Sequence, residues 1–153
     1  MELHLIRHAH AEDTVPDEAR RLSPRGRRQA RALARRLRAT GEFAPAEIWH
    51  STLRRARETA ELLAPAAPAA IHRETTGLAP DDAPSAIARR LARARGPVAL
   101  VGHEPQLSAL ASQLVTGTAE PVVFHVRKAS ALALTRVGRR WLVRWFLPPE
   151  DGE

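Results

Sequence analysis

No cysteine occurs in the 153 residues, so neither a disulfide framework nor a thiolate metal site is available. Tyrosine is absent as well, and aromatic residues make up only 4%, which leaves little for stacking on the bases of a nucleic acid. Lysine occurs once, as Lys128, although Lys and Arg together number 24 against 17 acidic residues. The formal charge of +7 is therefore an arginine charge. It attracts anions, whether phosphates, nucleic acid or an acidic partner, but most of these arginines read as solvated helix faces. Apolar runs long enough to span a bilayer are missing. The first strand begins so close to Met1 that no room is left for a signal peptide, which makes a cytoplasmic location the expectation. Hydrophobic residues at 44% and charged residues at 27% describe a globular chain. Its length fits a single domain over residues 1–153 and is short for a (β/α)8 barrel.

Strand and helix signals alternate along the chain. Leu3–Ile6 is a short apolar run flanked by charge, suited to a strand covered on both faces. A proline-containing acidic loop, Ala11–Ala19, leads to Ser23-Pro24, an N-cap and first helical position. The helix that follows buries Ala30, Leu33, Ala34 and Leu37 and stops near Thr40-Gly41. Ala46–His50 reads as a second strand, and Ser51 or Thr52 as the cap of a second helix with Leu53, Ala56, Ala60 and Leu63 inward. After the Pro/Ala linker Ala64–Ala70, a weak third strand starts at Ile71. A third helix begins at Asp82 or Ala83 with Pro84, lays Ile87, Leu91 and Ala94 inward, and ends at Gly96. Val98–Val101 is the clearest buried strand, and Pro105 opens a fourth helix bearing Leu107, Leu110, Ala111 and Leu114. Ala131–Thr135 and Trp141–Phe146 alternate around Val137-Gly138-Arg139 as a hairpin, with Trp141, Val143 and Trp145 sharing one face. This is an α/β chain: a single-domain three-layer α/β/α sandwich, its sheet mostly parallel with an antiparallel C-terminal edge.

Two of the strands end in histidine, Ile6-Arg7-His8 and Val101-Gly102-His103. Chemistry in open α/β sheets gathers beyond the carboxyl ends of strands. If these two are neighbours, both imidazoles emerge together, with Arg7 to clamp oxygens and the positive end of the fourth helix nearby. Ser51–Ala60 adds arginines to the first turn of a helix, where the dipole disfavours cations unless an anion offsets it. Arg54 and Arg57 fit a solvated face, while Arg55, beside the buried Ala56, is the one expected to turn inward.

These segments resemble the motifs of the histidine phosphatase superfamily, the phosphoglycerate-mutase-like fold, and within it the small phosphohistidine phosphatase branch. Ile6-Arg7-His8-Ala9 resembles its Arg-His-Gly signature, and Leu22-Ser23-Pro24-Arg25-Gly26-Arg27-Arg28-Gln29-Ala30 its Leu-Thr-x-x-Gly-x-x-Gln-Ala helix start. Ser51–Ala60 resembles Ser-x-Leu-x-Arg-Ala-x-Gln-Thr-Ala, and Val101–Pro105 the segment holding the second histidine. The closing Trp145–Pro149 is also similar to that branch. The resemblance implies that His8 is a nucleophile carrying a phosphohistidine, that Arg7, Arg55 and His103 bind the phosphoryl oxygens, and that no metal or other cofactor takes part. It implies a phosphorylated substrate: phosphohistidine in a protein, or a related phosphoramidate or phosphomonoester, with no specific nucleic acid and no membrane as partner.

The chain departs from the pattern in four places. Ala9 stands for glycine, His10 for an acidic or amide residue, and Glu58 for glutamine. The interval from Arg55 to His103 is short and offers only Glu74, Asp81 and Asp82 as proton donors, which suits a phosphoramidate better than a sugar phosphate. Arg20, Arg127, Lys128 and Ser130 are the candidates for the mouth that selects the substrate. Two rival readings use other residues. His8-Ala9-His10 with Glu12, Asp13 and His103 has the makings of a metal-dependent hydrolase site, although Arg7 and Arg55 would repel the ion. Arg89, Arg90, Arg93 and Arg95 could follow a nucleic-acid backbone.

Overall fold

A computed structural model describes residues 1–150. Its centre is a six-stranded sheet with the order β3-β2-β4-β1-β5-β6. The strands are β1 (Glu2–Arg7), β2 (Glu47–His50), β3 (Ile71–Glu74), β4 (Val98–Gly102), β5 (Ala131–Val137) and β6 (Arg140–Leu147). β1 pairs parallel with β4, which pairs parallel with β2, and β2 parallel with β3. β5 returns antiparallel on the other side of β1, and β6 antiparallel on β5. The four parallel strands therefore aim their carboxyl ends at one edge, where β1 and β4 finish side by side with Arg7 opposite Gly102.

Four helices cover the two faces: α1 (Pro24–Thr40), α2 (Arg54–Leu63), α3 (Ser85–Arg93) and α4 (Gln106–Thr116). Alternation along the central strands divides the core. Leu3, Leu5, Val98 and Leu100 face Ile87, Leu91, Leu107 and Leu110 of α3 and α4. Ile6, Ala99 and Val101 face Leu33, Leu37, Ala56, Ala60 and Leu63 of α1 and α2. The three layers are those expected from the sequence. So is the start of α1, where the Ser23 side chain accepts the Gly26 N–H and Pro24 follows. Gly41 ends the helix in the left-handed conformation at φ 70°.

Some local expectations are corrected. α2 is capped by neither Ser51 nor Thr52; its N-cap is Leu53, without a side-chain bond, and Leu53 is only half-buried. α3 starts later than Asp82 or Ala83, because Asp82 turns back to accept the Ala79 N–H at 2.9 Å. Pro84 becomes its N-cap, and Ala94 is the half-buried residue that ends it, not part of its buried stripe. Trp141, Val143 and Trp145 do not share a face. The pairing of β5 with β6 slips between Ala133 and Leu134, so that Val143 lies opposite Leu134 but Trp145 opposite Ala133. Arg144 is the extra residue of this bulge. Trp141 consequently packs into the α3/α4 side and Trp145 against the α1/α2 side.

Candidate functional site

The parallel register delivers the first two candidates. The His8 N–H donates to Gly102 O at 3.0 Å and the Ser51 N–H to Val101 O at 3.1 Å, carrying both ladders past the strand ends. His8 and His103 leave this edge together, their ring centroids 5.0 Å apart and their planes inclined by 52°. Both are buried, at 7% and 1% exposure.

His8 Nδ1 lies 2.7 Å from the carbonyl oxygen of Ala9. A carbonyl only accepts, so Nδ1 carries the proton and a neutral ring keeps its lone pair on Nε2. Burial holds the His8 pKa well below 6.5; the hydrogen bond to the Ala9 carbonyl is the main opposing pull, and His103, Arg55 and Arg7 add to the lowering. The ring is thus neutral and nucleophilic at ordinary pH. Ala9 is itself anchored, its N–H donating to Thr59 Oγ1 at 3.1 Å while the Thr59 hydroxyl donates to Arg55 O at 2.8 Å. Its methyl group is accommodated in a small buried cluster with Leu22, Ala30 and Ala129.

His103 is lowered to about 3 by burial and then by Arg55 and Arg7, with Asp17 acting in the opposite sense. Its Nε2 meets Ser51 Oγ at 2.6 Å. Its Nδ1 is buried without a hydrogen-bond partner among the described residues.

Arg55 turns inward as expected, at 5% exposure, whereas Arg54 and Arg57 pair with Glu58 and Glu61 one helical turn on. Glu58 also accepts the Leu22 N–H at 2.8 Å, so an acceptor-only side chain suits both of its donors. The Arg55 guanidinium donates to Asp17 O at 2.9 Å and to Asp17 Oδ2 at 3.3 Å. Asp17 opens a single 3-10 turn, Asp17–Ala19, and also contacts Arg20 at 3.3 Å. Arg20 in turn donates to Glu12 O at 2.8 Å, which fixes it at the rim beside Asp17. Asp17 and Ser51 are site residues that the sequence reading missed.

The remaining candidates divide. Arg7, Arg127 and Lys128 line one small cavity together with His125, a residue not expected there. Ser130 does not line it: it is fully buried, and its hydroxyl donates to Arg127 O at 2.6 Å, shaping the turn instead. Glu74 is exposed at the end of β3, three strands away from β1. At about 4.8 Å per strand it lies roughly 14 Å from the His8 edge. Asp81 is exposed, and Asp82 is engaged with Ala79.

His10 is turned to the start of α1, its Nδ1 2.7 Å from Ser23 Oγ and its N–H donating to Gln29 Oε1 at 3.0 Å. The approach is tight: a Cβ on Gly26 would stand 1.9 Å from His10 O. The set His8, His10, Glu12, Asp13 and His103 therefore does not converge, and no group of three or more metal-ligating side chains forms among the described residues. The start of α4 is less open to an anion than expected. Pro105 is its N-cap, and Glu104 accepts the Ser108 N–H at 2.8 Å. No helix among the described residues is long and apolar enough to cross a membrane.

The fold has counterparts among solved structures. The protein histidine phosphatase SixA complexed with tungstate superposes with a TM-score of 0.87 at 19% identity, covering 100% of both chains. The alpha-ribazole phosphatase of Shigella flexneri gives 0.80 at 19% identity over 94% of this chain and 95% of that one. A mycobacterial glucosyl-3-phosphoglycerate phosphatase gives 0.71 at 22% identity, over 93% and 96%. At these identities the likeness is one of fold. No curated protein matches the sequence. The family model of the histidine phosphatase superfamily (branch 1) matches residues 3–78, the span that contains Arg7, His8 and Arg55. The chain belongs to the histidine phosphatase superfamily, and its members are phosphatases.

Proposed function

We propose that the protein hydrolyses phosphoramidates, phosphohistidine in a protein foremost, through a covalent phosphohistidine on His8 and without a metal ion. The observation that carries this reading is the fixed tautomer of His8, with Nδ1 bonded to Ala9 O and the lone pair left on Nε2. In the first step Nε2 forms a bond to phosphorus while the phosphorus–nitrogen bond of the substrate breaks. The departing imidazole takes its proton from water. In the second step a water oxygen attacks phosphorus, the bond to Nε2 breaks, and inorganic phosphate leaves with the His8 ring neutral again. Arg7, Arg55 and His103 carry the charge on the phosphoryl oxygens.

The choice of phosphoramidate rests on the leaving group. Glu74 stands three strands from β1, Asp81 is exposed, and Asp82 is engaged with the Ala79 N–H. Asp17, which does reach Arg55, is a poor acid: slight burial raises its pKa, but bonds to Arg20 and Arg55 outweigh this and lower it. An imidazole departs with less help than an alkoxide does. The resemblance to SixA in fold agrees with this substrate class, and the alpha-ribazole phosphatase likeness keeps phosphomonoesters as the second reading.

Rapid quench with a labelled phosphohistidine protein tests the mechanism. The expected product is an alkali-stable, acid-labile label on His8, absent in His8→Ala together with turnover. Turnover by the unaltered protein with no covalent intermediate at any quench time would replace this mechanism with direct attack by water.

A further inference from the structure

Beyond the phosphoryl group, the cavity at the mouth points to a second charge on the substrate. Its volume is about 210 Å³ and its lining is Arg7, His125, Arg127 and Lys128, with no carboxylate among them. Arg7 belongs to both places, so the cavity adjoins the phosphoryl site directly. We propose that Arg127, Lys128 and His125 form a subsite for a second anionic group, a carboxylate carried close to the scissile phosphoryl group. The inference rests on the phosphatase reading above and narrows its substrate class.

The cavity is built, not a chance meeting of surface chains. The backbone of 126–130 is stitched to the strand that bears the nucleophile. The Ala129 N–H lies 3.1 Å from Arg7 O and 3.3 Å from His8 O, and the Arg7 N–H donates to Ser130 O at 3.4 Å. Arg7 and Lys128 form a parallel bridge outside the main sheet. Ala129 adopts φ 54°, the one non-glycine residue with positive φ among those described, and its side chain is buried at 2% exposure. A β-carbon in that conformation is strained, and such strain persists only where the surroundings over-determine it. Ser130 closes the turn onto Arg127 O through its hydroxyl. The turn thus holds Arg127 and Lys128, both half-buried, at the cavity before any ligand arrives.

The Glu104 carboxylate lies behind this wall, with Oε2 3.9 Å from His125 Nδ1. It is engaged by the N–H groups of Ser108 and Val126 and by the Ser108 hydroxyl, so it serves the loop and does not line the cavity. Basic side chains that line one concave site focus a positive potential into it, which favours an anion there.

Two sources could supply the carboxylate: an acidic side chain beside a phosphorylated residue in a protein, or a carboxylate within a small phosphorylated molecule. Paired substrates separate them. A phosphohistidine peptide with an adjacent glutamate is compared with its glutamine counterpart, and free phosphohistidine with phosphohistidine amide. A binding arm that needs no turnover compares phosphonoacetate with methylphosphonate by calorimetry. The expected preference for the carboxylate-bearing member is about tenfold in kcat/KM or Kd. It should fall to about unity in Arg127→Gln/Lys128→Gln, and part-way in Lys128→Gln. Both members of a pair share the phosphoryl group or its phosphonate mimic, so a general loss of activity or folding cancels in the ratio. A preference confined to the peptides assigns the subsite to a protein substrate, and one confined to the small molecules assigns it to a small one; either supports it. Ratios near unity in every pair, or a preference that survives the double variant, overturn it. Failure of the unaltered protein to cleave any phosphoramidate overturns the substrate reading instead, while the phosphonate pair still reports on the subsite.

Discussion

Ser51 Oγ stands 2.6 Å from His103 Nε2 and at the same time accepts the Leu53 N–H at 3.2 Å. If the hydroxyl donates to Nε2, the His103 proton resides on Nδ1, the buried nitrogen that has no partner among the described residues. His103→Ala is expected to weaken transition-state stabilisation by ~2–4 kcal/mol, as for loss of one oxyanion donor. Ser51→Ala should lose less, ~1–2 kcal/mol, because it removes only the group that orients the donor. The decisive measurement is the double variant. If Ser51 acts through His103, Ser51→Ala/His103→Ala is no slower than His103→Ala alone; additive losses would give Ser51 a separate role.

Arg55 donates to the carboxylate of Asp17 at 3.3 Å. A phosphoryl oxygen that takes the same N–H competes with that carboxylate. Asp17→Asn leaves the backbone bond from Arg55 to Asp17 O available but removes the competing charge. The Asp17 side chain is 62% exposed, so screening keeps the effect small. Inhibition by vanadate and KM for phosphoramidate should both improve by about two- to fivefold, with kcat little changed. Weaker vanadate binding in this variant would show that Asp17 positions Arg55 and does not compete for it. Arg55→Ala should cost at least as much as His103→Ala, since a cation with a two-pronged donor set is lost.

The parts of this site that depend on strand ends were legible in the sequence. An apolar strand that stops in a histidine announces where its side chain emerges, and two such strands in parallel meet at one edge. Arg55 was legible because it borders Ala56 on a periodic helix. Ser51 was read as a helix cap, a local role, and the neighbour that claims it lies 52 residues away. Asp17 sat in an acidic loop with no periodicity, and the contact that defines it spans 38 residues. The hairpin failed for a different reason. Alternation counts every residue, and a single bulge at Arg144 moves Trp145 to the opposite layer without leaving a mark on the pattern.

Turnover should survive exhaustive EDTA treatment. Arg7 and Arg55 already bring positive charge to the place where a catalytic cation would sit, and His10 is committed to Ser23. Loss of activity that zinc or manganese restores would return the histidines to a metal site.

Rates should follow leaving-group quality closely. Phosphoramidates and aryl phosphates are expected to outrun sugar phosphates, and Glu74→Gln or Asp81→Asn to leave the alkyl phosphate rate within about twofold, the behaviour of exposed surface substitutions. Selective loss of alkyl phosphate turnover in either variant would identify a proton donor and move the preferred substrate to the phosphomonoesters.

Acid stability should be set in part by His4, in the middle of β1. Its ring is 1% exposed and packs edge-on to Phe43 at 4.9 Å and tilted against Trp145 at 5.4 Å. Its Nδ1 has no partner among the described residues. Burial lowers its pKa from 6.5 to about 4, against weaker opposing pulls from Glu2 and Glu42. The unfolded chain therefore binds a proton at this position before the folded one does, and stability falls as pH drops from 6.5 towards 4. Below that window the ring is charged in both states and the loss is complete. Each pH unit within it removes at most ~1.4 kcal/mol. His4→Phe keeps an aromatic ring between Phe43 and Trp145 and removes the titrating group together with the unpartnered nitrogen. Melting temperature measured from pH 7 to pH 4 should decline less steeply in this variant than in the unaltered protein. His103 titrates lower, at about 3, so it continues to contribute to both proteins as the window closes. Parallel melting curves over the whole range would show that His4 is already neutral and buried in the unfolded ensemble, or that other groups govern acid unfolding.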